Sequence, residues 1–267
     1  MDSPHFSAGA PPTAGTHATV GRVGDLQWQA VEDGHVVGRA DASRRPDGRT
    51  FLSIDTWHGA VFDLLATTVP ADLAGPLHTM VDEGDHDLTD RWRRAGFTPR
   101  RREREYVVGT DRSVAGRAPV DVTILGLGSA DASSLGALYD AVRAEVDADA
   151  GWDTMPVEVP PRALADPARY AVAVVADRYV GLVRVTSRRH HARIGLVAVR
   201  TGLRRRGIAR ALLAEVLSML HRNGIPTATA EVDEHNTAAA ALFEGIGAQR
   251  VGGTLFLERG ALLERGV

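Results

Sequence analysis

Residues 200–213 read RTGLRRRGIARALL, and this stretch decides how the rest of the 267-residue chain is interpreted. Five arginines fall within eleven positions, the strand-like segment IGLVAV precedes them, and an amphipathic run follows Gly207. The first turn of a helix has unpaired N–H groups and a partial positive charge, so it attracts anions. Gly207 and Ala209 would let a ligand come close to the backbone. The order strand, arginine–glycine turn, helix predicts a site for two linked phosphates; the alternative is a solvated arginine cluster.

The composition restricts the classes to which the chain can belong. A formal net charge of -3 argues against a dedicated nucleic-acid binder, because such domains are usually basic. Without cysteine there are no disulfides, thiolate metal ligands or cysteine nucleophile, and we expect no metal site. No segment reaches the roughly 18 apolar residues of a membrane span, and the start, MDSPHFSAGAPPTAGTH, lacks the basic and apolar regions of a signal peptide. We expect a cytoplasmic protein that binds neither nucleic acid nor membrane.

The later part of the chain has the pattern of an α/β fold with a mixed sheet. One helix is expected from about Asp131, a second over 207–222 with apolar residues at every fourth position, and a third from Asn236 to about Ile246. Strands are expected at 120–125, about 169–176, 179–187, 191–199, 227–232 and 250–258. The segment LGLGSAD (125–131) looks like a dinucleotide-binding glycine motif. Because Asp131 replaces its third glycine, we expect a tight turn and a helix cap instead.

The chain also contains a weak internal repeat. The hairpin patterns AVEDGHVVG (30–38) and VVADRYVG (174–181) match each other. The short helical segments DRWRRAGF (90–97) and ALFEGIGA (241–248) each close on a glycine and precede a strand-like segment. We therefore expect two similar domains, and the expected boundaries are a disordered tail at 1–20, a degenerate first domain at 21–108, a linker at 109–119 and a ligand-binding domain at 120–267.

The arginine–glycine turn resembles the acyl-CoA signature R/Q-x-x-G-x-G/A of the GNAT superfamily of N-acetyltransferases, with Arg204, Gly207 and Ala209 at its fixed positions. The resemblance continues through AEVDEHNTAAAALFEGIGA (230–248), which is similar to the later strand, asparagine-capped helix and closing glycine of that family. It covers roughly residues 120–260. It implies two GNAT-like α/β domains with mixed, mostly antiparallel sheets flanked by helices, and acetyl-CoA as co-substrate.

The resemblance also implies which residues bind the cofactor. Backbone groups at Val197 and Val199 would pair with the pantetheine arm as a neighbouring strand would, and Asn236 and Phe243 would lie close to the same arm. For Asn236 the alternative role is a plain helix N-cap. Backbone amides of the turn would hold the pyrophosphate, and these belong to Arg204, Arg205, Arg206, Gly207, Ile208 and Ala209.

The implied reaction is direct acetyl transfer from acetyl-CoA to an amine. The amine must be neutral to attack, so a base has to accept a proton, while N–H groups of the 197–199 segment would stabilise the oxyanion. Phe243 stands where many members have a tyrosine acid, so the acid would be a water, Tyr179 or Tyr139, or would be dispensable. Arg193 stands where many members have a glutamate, and it could instead bind a carboxylate on the acceptor.

Glu231 is the preferred candidate for the base, directly or through water. Asp233 shares its strand face, and a solvated strand end is the other explanation for it. The next candidates are His190 and His191, for which an exposed turn is the other explanation. The loop after the first helix offers two acidic residues that we expect to contact the acceptor, Asp153 and Glu158.

The function favoured by these residues is an acetyl-CoA-dependent N-acetyltransferase that acts on a small-molecule amine. The alternative is a non-catalytic acyl-CoA-binding or regulatory protein, which the absent tyrosine and glutamate would favour. The first domain has no arginine in VPADLAGPL (69–77), taken as the counterpart of the turn. We expect it to bind no coenzyme A productively, and to supply one wall of the acceptor site. A monomer and a homodimer are both compatible with the sequence.

Overall fold

The computed structural model describes residues 17–45, 47–111, 118–149, 151, 166–188 and 190–260. In the first half of the chain the elements are β1 (Thr19–Gly24), β2 (Gln27–Glu32), β3 (His35–Arg44), β4 (Thr50–Thr56), α1 (Gly59–Thr68), β5 (Leu77–Asp82), α2 (His86–Arg94) and β6 (Thr98–Gly109). In the second half they are β7 (Thr123–Leu125), α3 (Ala132–Asp149), β8 (Tyr170–Val175), β9 (Arg178–Arg188), β10 (His191–Val199), α4 (Ile208–Arg222), β11 (Thr227–Asp233), α5 (Thr237–Gly245) and β12 (Gln249–Arg259).

The two halves repeat the same series of strands and helices. In each half a β-hairpin turns through two residues with positive φ, Asp33 and Gly34 in the first and Ala176 and Asp177 in the second. Such turns match the twist of the flanking strands. Both predicted hairpins are therefore confirmed, and α3, between β7 and β8, has no counterpart between β1 and β2.

The glycine that follows each hairpin lies under a helix. A Cβ added to Gly38 would come within 2.7 Å of Val61 on α1, and one added to Gly181 would come within 3.3 Å of Leu212 on α4. Glycine at both positions lets the helix pack closely on the sheet. This shared contact makes α1 the counterpart of α4.

The strands form one twelve-stranded mixed sheet with the order β1-β2-β3-β4-β5-β12-β6-β11-β10-β9-β8-β7. The last strands of the two halves have exchanged places: β12 pairs with β5, β6 pairs with β11, and β6 and β12 pair with each other. All three pairings are antiparallel. The exchange joins two expected sheets into one and places a strand of the first half beside β11.

The sheet has two faces with different cover. On one face, α1 and α2 pack on the first half and α4 and α5 on the second, each pair around its own apolar cluster. On the opposite face, α3 covers β8 and β9 through a third cluster that includes Leu135 and Leu138, as predicted. Glu103, Glu105, Glu231 and Asp233 point to this α3 face, because they alternate with residues of the other face.

Several local predictions are confirmed, and one assignment is wrong. LGLGSAD is a turn closed by the Ser129 N–H on the carbonyl of Gly126, and Asp131 caps α3. Residues 19 and 20 of the expected tail belong to β1, and Gly109 of the expected linker belongs to β6. VPADLAGPL is not the counterpart of the arginine–glycine turn. It forms a short helical turn after α1 and leads into β5.

Candidate functional site

The sheet splits between β10 and β11. These parallel strands pair only at His191–Thr227, Ala192–Ala228 and Arg193–Thr229. Beyond Arg193, the edge of β10 that faces β11 has no strand partner among the described residues, although β9 and β6 continue to pair on the outer sides. A register shift between Ile194 and Leu196 accompanies the split. The open segment includes Val197 and Val199, the two residues whose backbone groups were predicted to pair with a ligand.

The turn that follows β10 presents a series of backbone donors. Among the described residues, no acceptor is found for the N–H groups of positions 205–210, the last of which lie in the first turn of α4. Arg205 and Gly207 both have positive φ, 65° and 84°. Alternation of left-handed and other conformations turns successive N–H groups toward one side and creates an anion-binding concavity. This turn is called the amide cradle below.

The arginine side chains around the amide cradle have different partners. Arg206 pairs with Asp121 at 2.8 Å, and the Nε of Arg204 donates to the carbonyl of Val199 at 3.1 Å. Arg205 has no ion pair within the described part of the chain. Three adjacent arginines therefore do not act as one cationic patch, and the N–H groups together with Arg205 would provide most of the attraction for an anion.

Glu145 on α3 holds the start of the turn. Its carboxylate accepts from the Nε of Arg200 at 2.6 Å and from the backbone N–H and hydroxyl of Thr201 at 3.0 and 2.9 Å, and it lies 3.8 Å from Arg204. Partial burial raises the pKa of Glu145, but the hydrogen bonds from Arg200 and Thr201 outweigh burial and hold the pKa below its ordinary value. Sequence reasoning missed this residue, because it lies 55 positions before Arg200.

The split in the sheet and the amide cradle lie within the segment that matches a known family. Residues 137–248 match the model of the Acetyltransferase (GNAT) family. This segment is a GNAT acetyltransferase domain. Acetyl-CoA-dependent acetyl transfer is general for that family. Curated protein sequences contain no match to this chain.

Solved structures of GNAT proteins share the fold of most of this chain. A GCN5-related N-acetyltransferase from Sphaerobacter thermophilus is 19% identical, with a TM-score of 0.70 over 90% of this chain and 82% of its own. A tandem GNAT protein from the clavulanic acid biosynthesis pathway is 15% identical, with a TM-score of 0.63 over 89% and 83%. The GCN5-related N-acetyltransferase from Kribbella flavida is 14% identical, with a TM-score of 0.60 over 91% and 89%. Each alignment spans both halves, so the GNAT-like fold includes the first half.

The remaining predicted cofactor residues flank the split. Asn236 caps α5, since its side chain accepts from the N–H of Ala239 at 3.0 Å, as one of its two predicted roles required. Phe243 is buried, and its ring stacks on Tyr106 of β6 with the centroids 6.0 Å apart. The side chain of Ile208 is buried in the core, so only its N–H could serve a ligand.

Both predicted base carboxylates of β11 have arginine partners. Glu231 lies 2.6 Å from Arg193, and Asp233 lies 3.0 Å from Arg101 and accepts from the His235 N–H at 2.9 Å. Each of the two carboxylates is therefore held by a neighbouring guanidinium group. Arg193, expected to bind a carboxylate of the acceptor, binds one of the protein's own.

The other predicted acid–base residues have different surroundings. His190 and His191 are exposed in and beside the turn between β9 and β10. The Tyr179 hydroxyl accepts from the N–H of Asp131 at 2.9 Å at the start of α3. Burial raises the pKa of Tyr139 to about 12, and the residue is 1% exposed within the α3 cluster. Asp153 and Glu158 lie outside the described residues.

In the described residues of the first half, the connection between β4 and α1 forms no counterpart of the amide cradle. Where eight residues connect β10 to α4, two residues, Trp57 and His58, connect β4 to α1. The guanidinium of Arg91 also occupies the space over Gly59 at the start of α1, and it pairs with Asp63 at 3.3 Å. The short connection leaves few backbone N–H donors. The Arg91 side chain also fills the space next to Gly59 in which a Cβ on that residue would lie.

Among the described helices, none combines the length and the apolar character needed to cross a lipid bilayer.

Proposed function

We propose that the protein is an acetyl-CoA-dependent N-acetyltransferase that transfers the acetyl group directly to the amine of a small molecule. The observation that carries the proposal is the amide cradle, in which consecutive N–H groups of positions 205–210 lack acceptors within the described chain and adjoin the split between β10 and β11. A diphosphate at the cradle and a pantetheine arm in the split would satisfy both sets of backbone groups.

The residues assigned to the cofactor then divide into two groups. Arg204, Arg205, Arg206, Gly207, Ile208 and Ala209 would hold the pyrophosphate through their N–H groups, with the Arg205 side chain as an added cation. Val197, Val199, Asn236 and Phe243 would line the pantetheine arm.

Acetyl-CoA supplies an activated thioester, and the chain supplies position and charge. N–H groups of β10 beyond Arg193 can stabilise the negative charge that develops on the acetyl oxygen. The acceptor enters from the α3 face, where the side chains of β11 and β6 point. We further propose that the first half is a degenerate copy that binds no coenzyme A and lines the acceptor site through β6. A cytoplasmic location remains part of the proposal.

A thiol-release assay tests the proposal. The full chain is incubated with acetyl-CoA and a panel of primary amines, namely spermidine, tyramine, glucosamine and L-lysine. We expect saturable release of coenzyme A with at least one amine and a mass increase of one acetyl group on that amine. Tight binding of acetyl-CoA with no acetylated amine would support the non-catalytic alternative, which the Arg193–Glu231 pair and the phenylalanine at position 243 favour.

A further inference from the structure

The strand exchange brings a carboxylate of the first half to the acceptor side of the split. In the register between β6 and β11, Glu105 lies opposite Glu231, and Glu103 lies opposite Asp233. Directly opposite residues on antiparallel strands lie about 4.5–5.5 Å apart and point to the same face. Glu105 therefore lies in the same row as Glu231, one strand farther from the split.

The carboxylates in this row differ in their partners. Glu231 pairs with Arg193, Asp233 pairs with Arg101, and Glu103 is buried against the same Arg101. Glu105 has no hydrogen bond or ion pair among the described residues, and it is half-buried. Glu105 is thus the carboxylate of this row that has no charged partner among the described residues and that can attract a cationic ligand.

The neighbour of Glu105 on β12 is a glycine. On its β12 side the opposite residue is Gly252, and a Cβ added there would lie 3.9 Å from the Glu105 Oε2. Further along this face lies Asp233, which is paired with Arg101. The carboxylates next to Glu105 in the row are Glu231, held by Arg193, and Glu103, held by Arg101. Because both of these are neutralised by arginines, an ammonium group would find its strongest attraction at Glu105.

We propose that Glu105 is the general base of the transfer, supplied to the GNAT domain by the first half of the chain. The inference rests on the proposed N-acetyltransferase function. The acceptor ammonium group gives one proton to the Glu105 carboxylate, and the neutral amine forms the C–N bond as the C–S bond breaks. The second amine proton leaves with the thiol or to solvent, so the products are the acetamide, coenzyme A and one released proton.

The experiment compares Glu105→Gln with wild type and with Asp55→Asn in the full chain. Asp55 is a matched control, since it is an exposed carboxylate on β4 of the first half with no ion pair within the described chain. The probe is the amine that wild type acetylates fastest in the panel above. For Glu105→Gln we expect kcat/KM at pH 7 to fall by about 100-fold or more, with the acetyl-CoA dissociation constant changed less than twofold. Asp55→Asn should match wild type in both.

The pH profile separates a base from a structural role. The deficit of Glu105→Gln should narrow as the pH rises toward the pKa of the amine, because solvent then supplies the neutral acceptor. Partial rescue by Glu105→Asp is also expected. Wild-type rates in Glu105→Gln, or a deficit that stays constant with pH, would overturn the assignment of Glu105. An absence of acetylation by wild type itself would instead overturn the proposed function.

Discussion

Replacing Gly207 by glutamate or by glutamine separates charge from shape at the amide cradle. Gly207 has a φ of 84°, and an added Cβ would meet no heavy atom within 4 Å. Both substitutions therefore meet the same left-handed backbone, at a cost of about 1–2 kcal/mol, and neither collides with the protein. Only glutamate adds a negative charge beside the free N–H groups.

The size of the effect follows from Coulomb's law. At a separation of roughly 5 Å, two unit charges repel by about 0.8 kcal/mol in a water-like dielectric and by about 3 kcal/mol at an effective dielectric of 20. Since 1.4 kcal/mol is a factor of ten, Gly207→Glu should bind acetyl-CoA roughly 4-fold to 200-fold more weakly than Gly207→Gln. The two variants should unfold at the same temperature within about 2 °C.

Calorimetric titration of both variants with acetyl-CoA at two ionic strengths measures this difference. The gap between glutamate and glutamine should narrow as salt is added, because salt screens exposed charges. Equal dissociation constants for the two variants would show that no anion binds at Gly207. The proposed phosphate site would then have to be sought in another part of the protein.

Three further predictions concern the cradle and its support. Glu145→Gln should lower the free energy of unfolding at pH 7 by about 1–3 kcal/mol. The pKa of Glu145 in the folded protein lies below its ordinary value. The stabilisation is therefore present above the pKa of the unfolded state and is lost as the pH falls through the pKa of the folded state. Urea unfolding of wild type and variant should therefore converge below about pH 4, and a constant difference would contradict the ion pair. Asn236→Ala should lose about 1 kcal/mol of stability from its cap, measured as a lower Tm, and an unchanged KM for acetyl-CoA would remove Asn236 from the pantetheine site. Calorimetry should give one acetyl-CoA per chain, whereas two would show that the first half binds the cofactor.

Local features of the chain were predictable because their causes are local. Paired positive-φ residues mark the hairpin turns, Asn236 and Asp131 cap the helices that follow them, and the spacing of apolar residues fixes the buried face of α4. The amide cradle was predictable for the same reason, because the strand, the arginine–glycine turn and the start of the helix are neighbours in the sequence.

The ion pairs between residues that are far apart in the sequence could not be predicted from the sequence. Nothing in the residues of Glu145 or Asp121 indicates that one would hold Arg200 and the other Arg206, 55 and 85 positions later. Glu231 looked like a free base in sequence because its partner Arg193 lies on a different strand. Sequence spacing thus located the arginine–glycine turn but could not distinguish free carboxylates from paired ones.

The strand exchange gives the first half a structural role that does not depend on binding a cofactor. β6 and β12 both follow a short capped helix, so local pattern alone would let either strand pair with either half. In the structure β6 pairs with β11 along the full Thr227–Asp233 register. Without β6 the outer edge of β11 would expose its N–H and C=O groups, while its inner edge already opens toward the split. If the second half were made alone, β12 would have to pair with β11 in the place that β6 now occupies. Gly252 would then lie beside β11, where Glu105 lies now. Such a half-chain could fold and bind acetyl-CoA, but it would lack the carboxylate that we propose as the base.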